Sequence, residues 1–331
     1  MDIATIMGIL VFFGLTVAIA VMGAGNIAGI ALMAPVAMAA ASRLGISAFL
    51  MTIMVGNAAN AGAYSPVAPT GVVANELMIR AGIVGQQWHT FWNTFIAQSF
   101  VAFAGYFLLG GTALLLRGKR VDLHADLPAE DLEPFTTPQW LTLGVLGLVL
   151  VAVIVFRVEV IIAAFVAVAV LALTRAAAPD AAIKVVPWST ILMVCGVSTL
   201  ISVLDKTGGV DVIVDGLVRL STPQTVTGIV ALVAGLVSAY SSTVGVVLPT
   251  FLPTVPGLAE RLGADPMAIA SAINVGGHLV DVSPLSTIGA ICLAAYTGTE
   301  DQQVLFNKVL AWGLSMAVVG AVVCWVFFGL L

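Results

Sequence analysis

Two segments of this chain carry the same pattern of Ser-Pro, four residues and Gly: Ser65-Pro66-Val67-Ala68-Pro69-Thr70-Gly71 and Ser283-Pro284-Leu285-Ser286-Thr287-Ile288-Gly289, 218 positions apart. Each lies inside an apolar stretch where a continuous helix is expected. Proline removes a backbone donor and its ring clashes with the preceding turn, so the helix must break. At membrane depth a break is tolerated only where it is buried in protein or lines a cavity. The fold must therefore enclose both sites, and that requirement excludes any arrangement of simple, independent spans.

The bilayer itself follows from composition. Apolar residues make up 60% of the 331 and charged residues 9%, against about 25% charged in a soluble domain. Ile3–Met22, Phe95–Leu116, Leu141–Phe156, Val158–Leu173, Ile191–Leu204 and Val309–Leu331 approach the roughly 20 apolar residues needed to cross a bilayer. Strand-like alternation over ten-residue segments is missing, which excludes a β-barrel. The reading is an all-α polytopic membrane protein. Cys195, Cys292 and Cys324 lie in apolar runs without metal-ligand spacing and read as small packing residues. No cleavable signal and no basic stripe for nucleic acid is found.

One segment is water-soluble in character, residues 117–138, with Arg117, Lys119 and Arg120 followed by Asp126, Glu130, Asp131 and Glu133. Its basic cluster directly follows an apolar stretch, which places it in the cytoplasm by the positive-inside tendency, together with Arg43, Arg175, Lys184 and Lys308. Arg80, Arg157, Arg219 and Arg261 then face outside. The linker separates two related halves. Residues 1–116 read as a first repeat, with a hairpin at 3–45, a broken helix at 46–80 and a helix at 88–116. Residues 139–331 read as a second, with scaffold helices at 139–204, an interfacial segment at 208–220, a hairpin at 224–263, a broken helix at 266–297 and a helix at 304–331. Arg43-Leu44-Gly45 and Arg261-Leu262-Gly263 close the hairpins at the same 218 offset. Each hairpin carries a small polar tip and is expected to be re-entrant. The first repeat has no counterpart to residues 139–219, which leads us to expect that its N-terminal scaffold helices are missing.

Matched helix breaks in the two halves of a membrane chain point to a transporter's binding site. At each tip the second arm begins with free backbone N–H groups and a positive helix-dipole end, which suit a carboxylate. Asn26, Ser242 and Thr243 add uncharged polar groups. Opposite the tips, Ser65-Pro66 and Ser283-Pro284 free carbonyls that suit a hard cation, with Thr70 and Thr287 in the same motifs. His278 and Asp281 stand three apart, on one helix face, just before the second break. Ionisable groups inside a membrane raise a functional hypothesis by default: Asp281 could ligate a cation or carry a proton, and His278 could shuttle one or contact the substrate. Asn60 and Ala63 occupy the matching positions of the first half. Asn57, Asn60 and Ser241 complete the candidate cation ligands. The alternative for every one of these residues is close helix packing or capping. Glu76 reads as solvated, and Asp205, Lys206, Asp211 and Asp215 as the charged face of an interfacial helix.

On Gly25-Asn26-Ile27 and Ser241-Ser242-Thr243 at the tips, and the Pro-containing breaks behind them, the chain resembles the divalent anion:sodium symporter group of the ion-transporter superfamily, and its dicarboxylate (malonate) carrier branch in particular. Against that group's Ser-Asn-Thr tips, the first tip here lacks Ser and Thr and the second lacks Asn. The resemblance covers 3–116 and 139–331. It implies that Asn26, Ser242 and Thr243 touch substrate carboxylates or sodium, and that Ser65, Pro66, Ser283, Pro284 and Thr287 shape the opposite wall. It also implies homodimers with N-terminal scaffold helices. The function expected is a cation-coupled secondary carrier of small di- or tricarboxylates, C3 or C4 dicarboxylates favoured, working by elevator-type alternating access in a bacterial inner membrane. Sodium or protons would be the coupling ions, with no other cofactor and no enzymatic activity. Carriage of another anion, ion antiport, an inactive truncated fragment and an intramembrane enzyme using His278 and Asp281 are the alternatives.

Overall fold

The computed structural model describes residues 3–112, 136–156, 158, 160–176, 183–184, 186, 188–298 and 300–330. Among these the chain is helical, with no strand. Most of the 117–138 linker, with Arg157 and Glu159, lies outside the described residues. Two compact units result, one from Met1–Arg120 with Leu192–Leu331 and one from Val121–Ile191.

In the smaller unit α6 (Thr137–Ile154) packs on α7 (Val160–Leu173). Thr136 and Gln139 form a capping box at the start of α6, and Thr136 N donates to Gln139 Oε1 at 2.8 Å. α8 (Trp188–Lys206) carries Cys195, which is exposed, unlike Cys292 and Cys324. The expectation of a packing role therefore holds for two of the three cysteines.

The larger unit begins with α1 (Ile3–Ile19), a π turn at Ala20–Ala24 and α2 (Gly25–Leu44), which folds back on α1. Gly23 (φ 110°) and Gly25 (φ 72°) make the reversal, in backbone regions that a side chain would strain. There follow α3 (Ala48–Ala63), α4 (Pro69–Arg80) and α5 (Gln87–Tyr106), the last extended by a π turn to Gly111. Gly110 (φ 125°) breaks that end, so the expected 88–116 helix is regular over a shorter range. After α8 comes the short amphipathic α9 (Gly209–Leu220), with Val210, Val214 and Leu217 buried and Asp211, Asp215 and Arg219 outward. The next hairpin has α10 (Val226–Ser238) as its first arm. Its second arm is Pro-interrupted: a π turn Thr243–Val247, α11 (Leu248–Phe251), a 3-10 turn Leu252–Thr254 and α12 (Val255–Leu262). α13 (Pro266–Leu279), α14 (Thr287–Ala294) and α15 (Gln302–Cys324) complete the unit.

α3 and α13 are buried almost all round, as helices at the centre of a bundle must be. α3 packs on α1, α2 and α5; α13 packs on α10, α15 and α5. Small residues permit the contact: a Cβ on Gly276 would lie 2.6 Å from the Ala231 carbonyl oxygen, and one on Gly62 the same distance from Ala20 Cβ. The starts of both central helices are fixed alike. Gly45 (φ 64°) and Gly263 (φ 66°) end the preceding helices in the left-handed conformation. Ser47 then caps α3 by accepting from Leu50 N, and Asp265 caps α13 by accepting from Met267 N and Ala268 N.

The ends are fixed alike too. At the first break Ala68 N donates to Ser65 O at 3.0 Å, and at the second Ser286 N donates to Ser283 O at 3.0 Å. Val67 N and Leu285 N turn back to the hydroxyls of Ser65 and Ser283. The closing glycines then lie directly over the serine carbonyls: a Cβ on Gly71 would sit 2.0 Å from Ser65 O, and one on Gly289 2.1 Å from Ser283 O. The glycine of the motif is thus a steric requirement of the turn.

Among the described residues four helical stretches are long and apolar enough to cross a membrane: Met7–Leu44, which contains the Gly23–Gly25 reversal, Gln87–Gly111, Thr243–Leu262 and Gln302–Leu330. Trp88, Trp92, Trp140 and Trp188 are exposed near helix starts.

Gly71→Ala or Gly289→Ala should destabilise the protein by about 1–3 kcal/mol or more, since backbone must move to admit the methyl. Gly14→Ala, on α1 with nothing within 4 Å of its Cβ position, should be neutral or stabilising by up to about 1 kcal/mol. Thermal unfolding of the three purified variants in detergent checks both.

Candidate functional site

The two breaks face each other, and three contacts join them. Asn60 Nδ2 donates to the His278 carbonyl oxygen at 3.0 Å, a bond between positions separated by the repeat offset of 218. Tyr64 Oη donates to the Asn274 carbonyl at 3.2 Å and lies 2.8 Å from His278 Nδ1. Gly56, which matches Asn274 in the other half, admits Val282, which matches Tyr64: a Cβ there would meet Val282 Cγ1 at 2.9 Å. On α3 and just beyond it the residues Asn57, Asn60 and Tyr64 share a face; on α13 and just beyond it so do Asn274, His278 and Asp281.

Each break also receives the hairpin tip of its own half. At the first, Ser65 Oγ donates to Val21 O at 2.9 Å in the hairpin turn, and Gly25 lies against Pro69. Asn26 Nδ2 donates to Asn60 Oδ1 at 3.0 Å, while its own Oδ1 accepts from Ile27 N. The amide of Asn26 is therefore engaged at both ends within the protein. At the second, Thr243 Oγ1 lies 2.9 and 3.0 Å from the two carboxylate oxygens of Asp281 and 2.6 Å from Ser238 Oγ. The Gly277 carbonyl is 3.3 Å away, and Ser238 Oγ also reaches Asp281 Oδ1 at 3.4 Å. Ser286 Oγ donates to the Asp281 backbone carbonyl. His278 Nε2 stands 3.9 Å from Asp281 Oδ2 and, though buried, has no hydrogen-bond partner.

The electrostatics of the two halves differ. The first presents amides and hydroxyls alone. The second holds a carboxylate whose side chain keeps 14% exposure. Among the described residues no lysine or arginine pairs with it: Arg80 pairs with Glu76, Arg261 with Asp215 and Lys308 with Glu300. The second break is open only at its rim, where Ser242, Pro284 and Asp281 are half-buried and Thr287 is exposed. Asn57, Asn60, Asn274 and His278 are sealed.

The structure thus brings Asn26, Asn60, Ser65, Thr243, His278, Asp281 and Ser283 together at the two breaks. Ser242 Oγ accepts from Gly245 N and starts the second arm. Ser241 Oγ donates back to Val237 O and takes no part in the cluster. Asn57 donates to Ile53 O, leaving its buried Oδ1 unpartnered, and Thr70 is buried in the first turn of α4. Glu76 is exposed in its ion pair with Arg80. Three participants carry no signal in the motifs themselves: Tyr64, Ser238 and Asn274. The helical spacing of Asn274 to His278 was the one available pointer. Among the described residues no group of three or more His, Cys, Asp or Glu could hold a metal ion.

The profile of the citrate transporter family, CitMHS, matches residues 4–274. The chain belongs to this family. Membership makes it a membrane-embedded secondary carrier for citrate-like anions rather than an enzyme, and is consistent with the superfamily expected from the tips and breaks. No individually curated protein matches the chain. The matched span ends at Asn274, so His278, Asp281 and the second break lie just beyond it.

Asn60→Ala should cost about 2 kcal/mol, since it removes two buried bonds and orphans the Asn26 amide, and Asn26→Ala about 1 kcal/mol. The double variant should cost less than the two together, by about 1 kcal/mol, because the residues share a bond. Unfolding of the three variants in detergent measures the coupling.

Proposed function

We propose that this protein is a cation-coupled carrier of small di- or tricarboxylates, with the coupling cation at Asp281. The observation that carries the reading is a carboxylate that no lysine or arginine among the described residues pairs with, at the part-exposed rim of a helix break. A substrate carboxylate held about 4 Å from an ionised Asp281 would be repelled by about 4 kcal/mol at an effective dielectric of about 20. That is a factor of about 10³ in affinity, removed when a proton or sodium ion neutralises Asp281. Anion and cation then each favour the other's binding, which is the thermodynamic content of coupling. Ser242, Thr287 and the backbone around Pro284 are the groups that favour substrate at this rim; the engaged amide of Asn26 favours a structural role for the first tip.

The architecture we infer is a pair of inverted repeats. Reciprocal contacts, Asn60 on His278 and Gly56–Val282 beside Asn274–Tyr64, support a pseudo-two-fold axis, because such an axis pairs residue i with j and the equivalents of j with i. So does exchange between the halves: α14 packs on α2, and α4 on α11 and the Leu252–Thr254 turn. The second hairpin reads as re-entrant because α10, at 13 residues, is only about 20 Å long and a bilayer core is about 30 Å. Hairpins and broken helices would move together in elevator-type alternating access. Within the wider superfamily the tips favour the divalent anion:sodium branch, a homodimer and an inner-membrane location with residues 117–138 cytoplasmic.

Uptake of labelled citrate, malonate and succinate into proteoliposomes, with and without a proton or sodium gradient, tests the reading. At least one should accumulate against its gradient, and Asp281→Asn should abolish the dependence on the driving cation. Absence of uptake for every carboxylate would overturn it.

A further inference from the structure

Asp281 has three side-chain neighbours, and only one of them can change charge. Thr243 and Ser238 offer hydroxyls; His278 offers Nε2, buried, unpartnered and 3.9 Å from Oδ2. What the carboxylate meets therefore depends on how the imidazole is oriented, and a histidine's orientation is set by the partner of its other nitrogen. That partner is Tyr64, a residue of the opposite half, whose hydroxyl lies 2.8 Å from Nδ1. The two rings meet edge to face, 4.9 Å between centroids at 75°. A ring flip would put Cε1 where Nε2 now faces Asp281 and leave the buried phenol facing Cδ2.

The same hydroxyl has a second acceptor behind it, the Asn274 carbonyl at 3.2 Å. Tyr64 can therefore serve either ring tautomer. It donates to Nδ1 when the proton is on Nε2, or accepts from Nδ1–H while donating to Asn274 O. Either way the ring stays in place with Nε2 toward the carboxylate. One turn back, Asn60 holds the backbone carbonyl of the same histidine. Tyr64 and Asn60 are in turn tied to the first hairpin, through the neighbouring Ser65 to Val21 O and through Asn60 Oδ1 to Asn26.

We propose that Tyr64 is a positioning residue for the Asp281 cation site of the other repeat, acting through His278, so that the cation site is complete only while the first hairpin tip is closed on its break. This rests on the reading of Asp281 as the coupling carboxylate. The ionisable groups around the pair are few. Tyr64 faces it from the end of α3, where it is the C-cap residue, and α10 and the Thr243–Val247 turn contribute only hydroxyls. On the other elements packed against α13 the ionisable side chains are engaged or directed elsewhere. Cys324 meets Ala272 O, Lys308 pairs with Glu300, and His89 lies on Gln86. Tyr106 packs on Gly111, Arg261 pairs with Asp215, and Glu260 is exposed.

The test is Tyr64→Phe, which keeps the ring and removes only the hydroxyl. In proteoliposomes the pH or sodium concentration giving half-maximal carboxylate uptake should shift by about tenfold in cation concentration. At saturating cation the carboxylate KM should stay within about twofold of the native value. The chain has three histidines, so ¹⁵N-histidine in a His89→Gln, His124→Gln background reports His278 alone. Its Nδ1 resonance should move in Tyr64→Phe, and its Nε2 resonance should move in Asp281→Asn. A Tyr64→Phe protein whose cation dependence is native, or whose loss falls on carboxylate KM and maximal rate alone, overturns the proposal. If that variant does not insert, the otherwise native chain decides: an Nε2 resonance indifferent to Asp281→Asn overturns it, and a response there with Nδ1 unmoved supports it. Failure of the underlying reading is a separate result, in which Asp281→Asn itself keeps native cation dependence.

Discussion

The fold depends on how two interrupted helices satisfy their backbone where no water competes. Both α3 and α13 stop inside the bundle. The groups released there must find partners in protein, because each one left bare in hydrocarbon costs several kcal/mol. The solution is the same twice. A serine carbonyl accepts from the residue three on, the serine hydroxyl accepts from the residue two on, and a glycine closes over the carbonyl with no room for a methyl. Once the turns are made, a neighbouring hairpin tip and the opposite break help to cover them, and Gly313 of α15 lies against Ser283 at the second. The packing of each tip on its own break, and of Asn60 and Tyr64 on His278, follows from that need.

Two copies of one solution do not make two copies of one site. In the first half the polar side chains bond to one another and close: Asn26 to Asn60, Asn60 to the opposite carbonyl, Ser65 to the hairpin turn. In the second the same positions carry His278 and Asp281 in place of Asn60 and Ala63, and the Asp281 side chain is part-exposed. An amide pair can be satisfied completely without ligand. A part-buried carboxylate held only by two hydroxyls and an imidazole keeps an uncompensated charge when ionised, which is what the proposed cation would neutralise. The first half thus holds the centre together, and the proposed response to a cation falls to the second.

Much of this was legible in the sequence because it is written in residues with strong local meaning. Glycine at 45 and 263, caps at 47 and 265 and the Ser-Pro breaks each dictate backbone conformation, and their common offset exposed the repeat. The apolar stretches and the small polar tips gave the helices and the hairpins. The site was less legible. Asn26 read as a substrate ligand because a tip asparagine has free donors in isolation; its engagement with Asn60 depends on how the first hairpin is seated. Tyr64 carried no signal because a tyrosine in an apolar run is ordinary until the residue across from it is known. Ser238 reaches Asp281 only because the chain reverses between them at Ser241 and Ser242. Local chemistry is encoded locally, whereas pairings between the halves exist only after folding.

The family match sharpens the same division. It runs through the closed first half and most of the second, and ends at Asn274, one turn before the histidine. Family membership therefore accounts for the frame: the hairpins, the first break and the helix that leads to the second. The feature that would make substrate binding depend on a cation lies in the next seven residues, and it is held from the other side by Asn60 and Tyr64, inside the matched span. A change at the first hairpin tip would consequently be felt at Asp281 without any substrate contact of its own. The conduit is two hydrogen bonds of 3.0 Å, Asn26 to Asn60 and Asn60 to the His278 backbone, with the imidazole Nε2 then standing 3.9 Å from the carboxylate. Rigidity in the first half is then no passive property. It is the condition under which a single buried imidazole can present one nitrogen, and one only, to the carboxylate of Asp281.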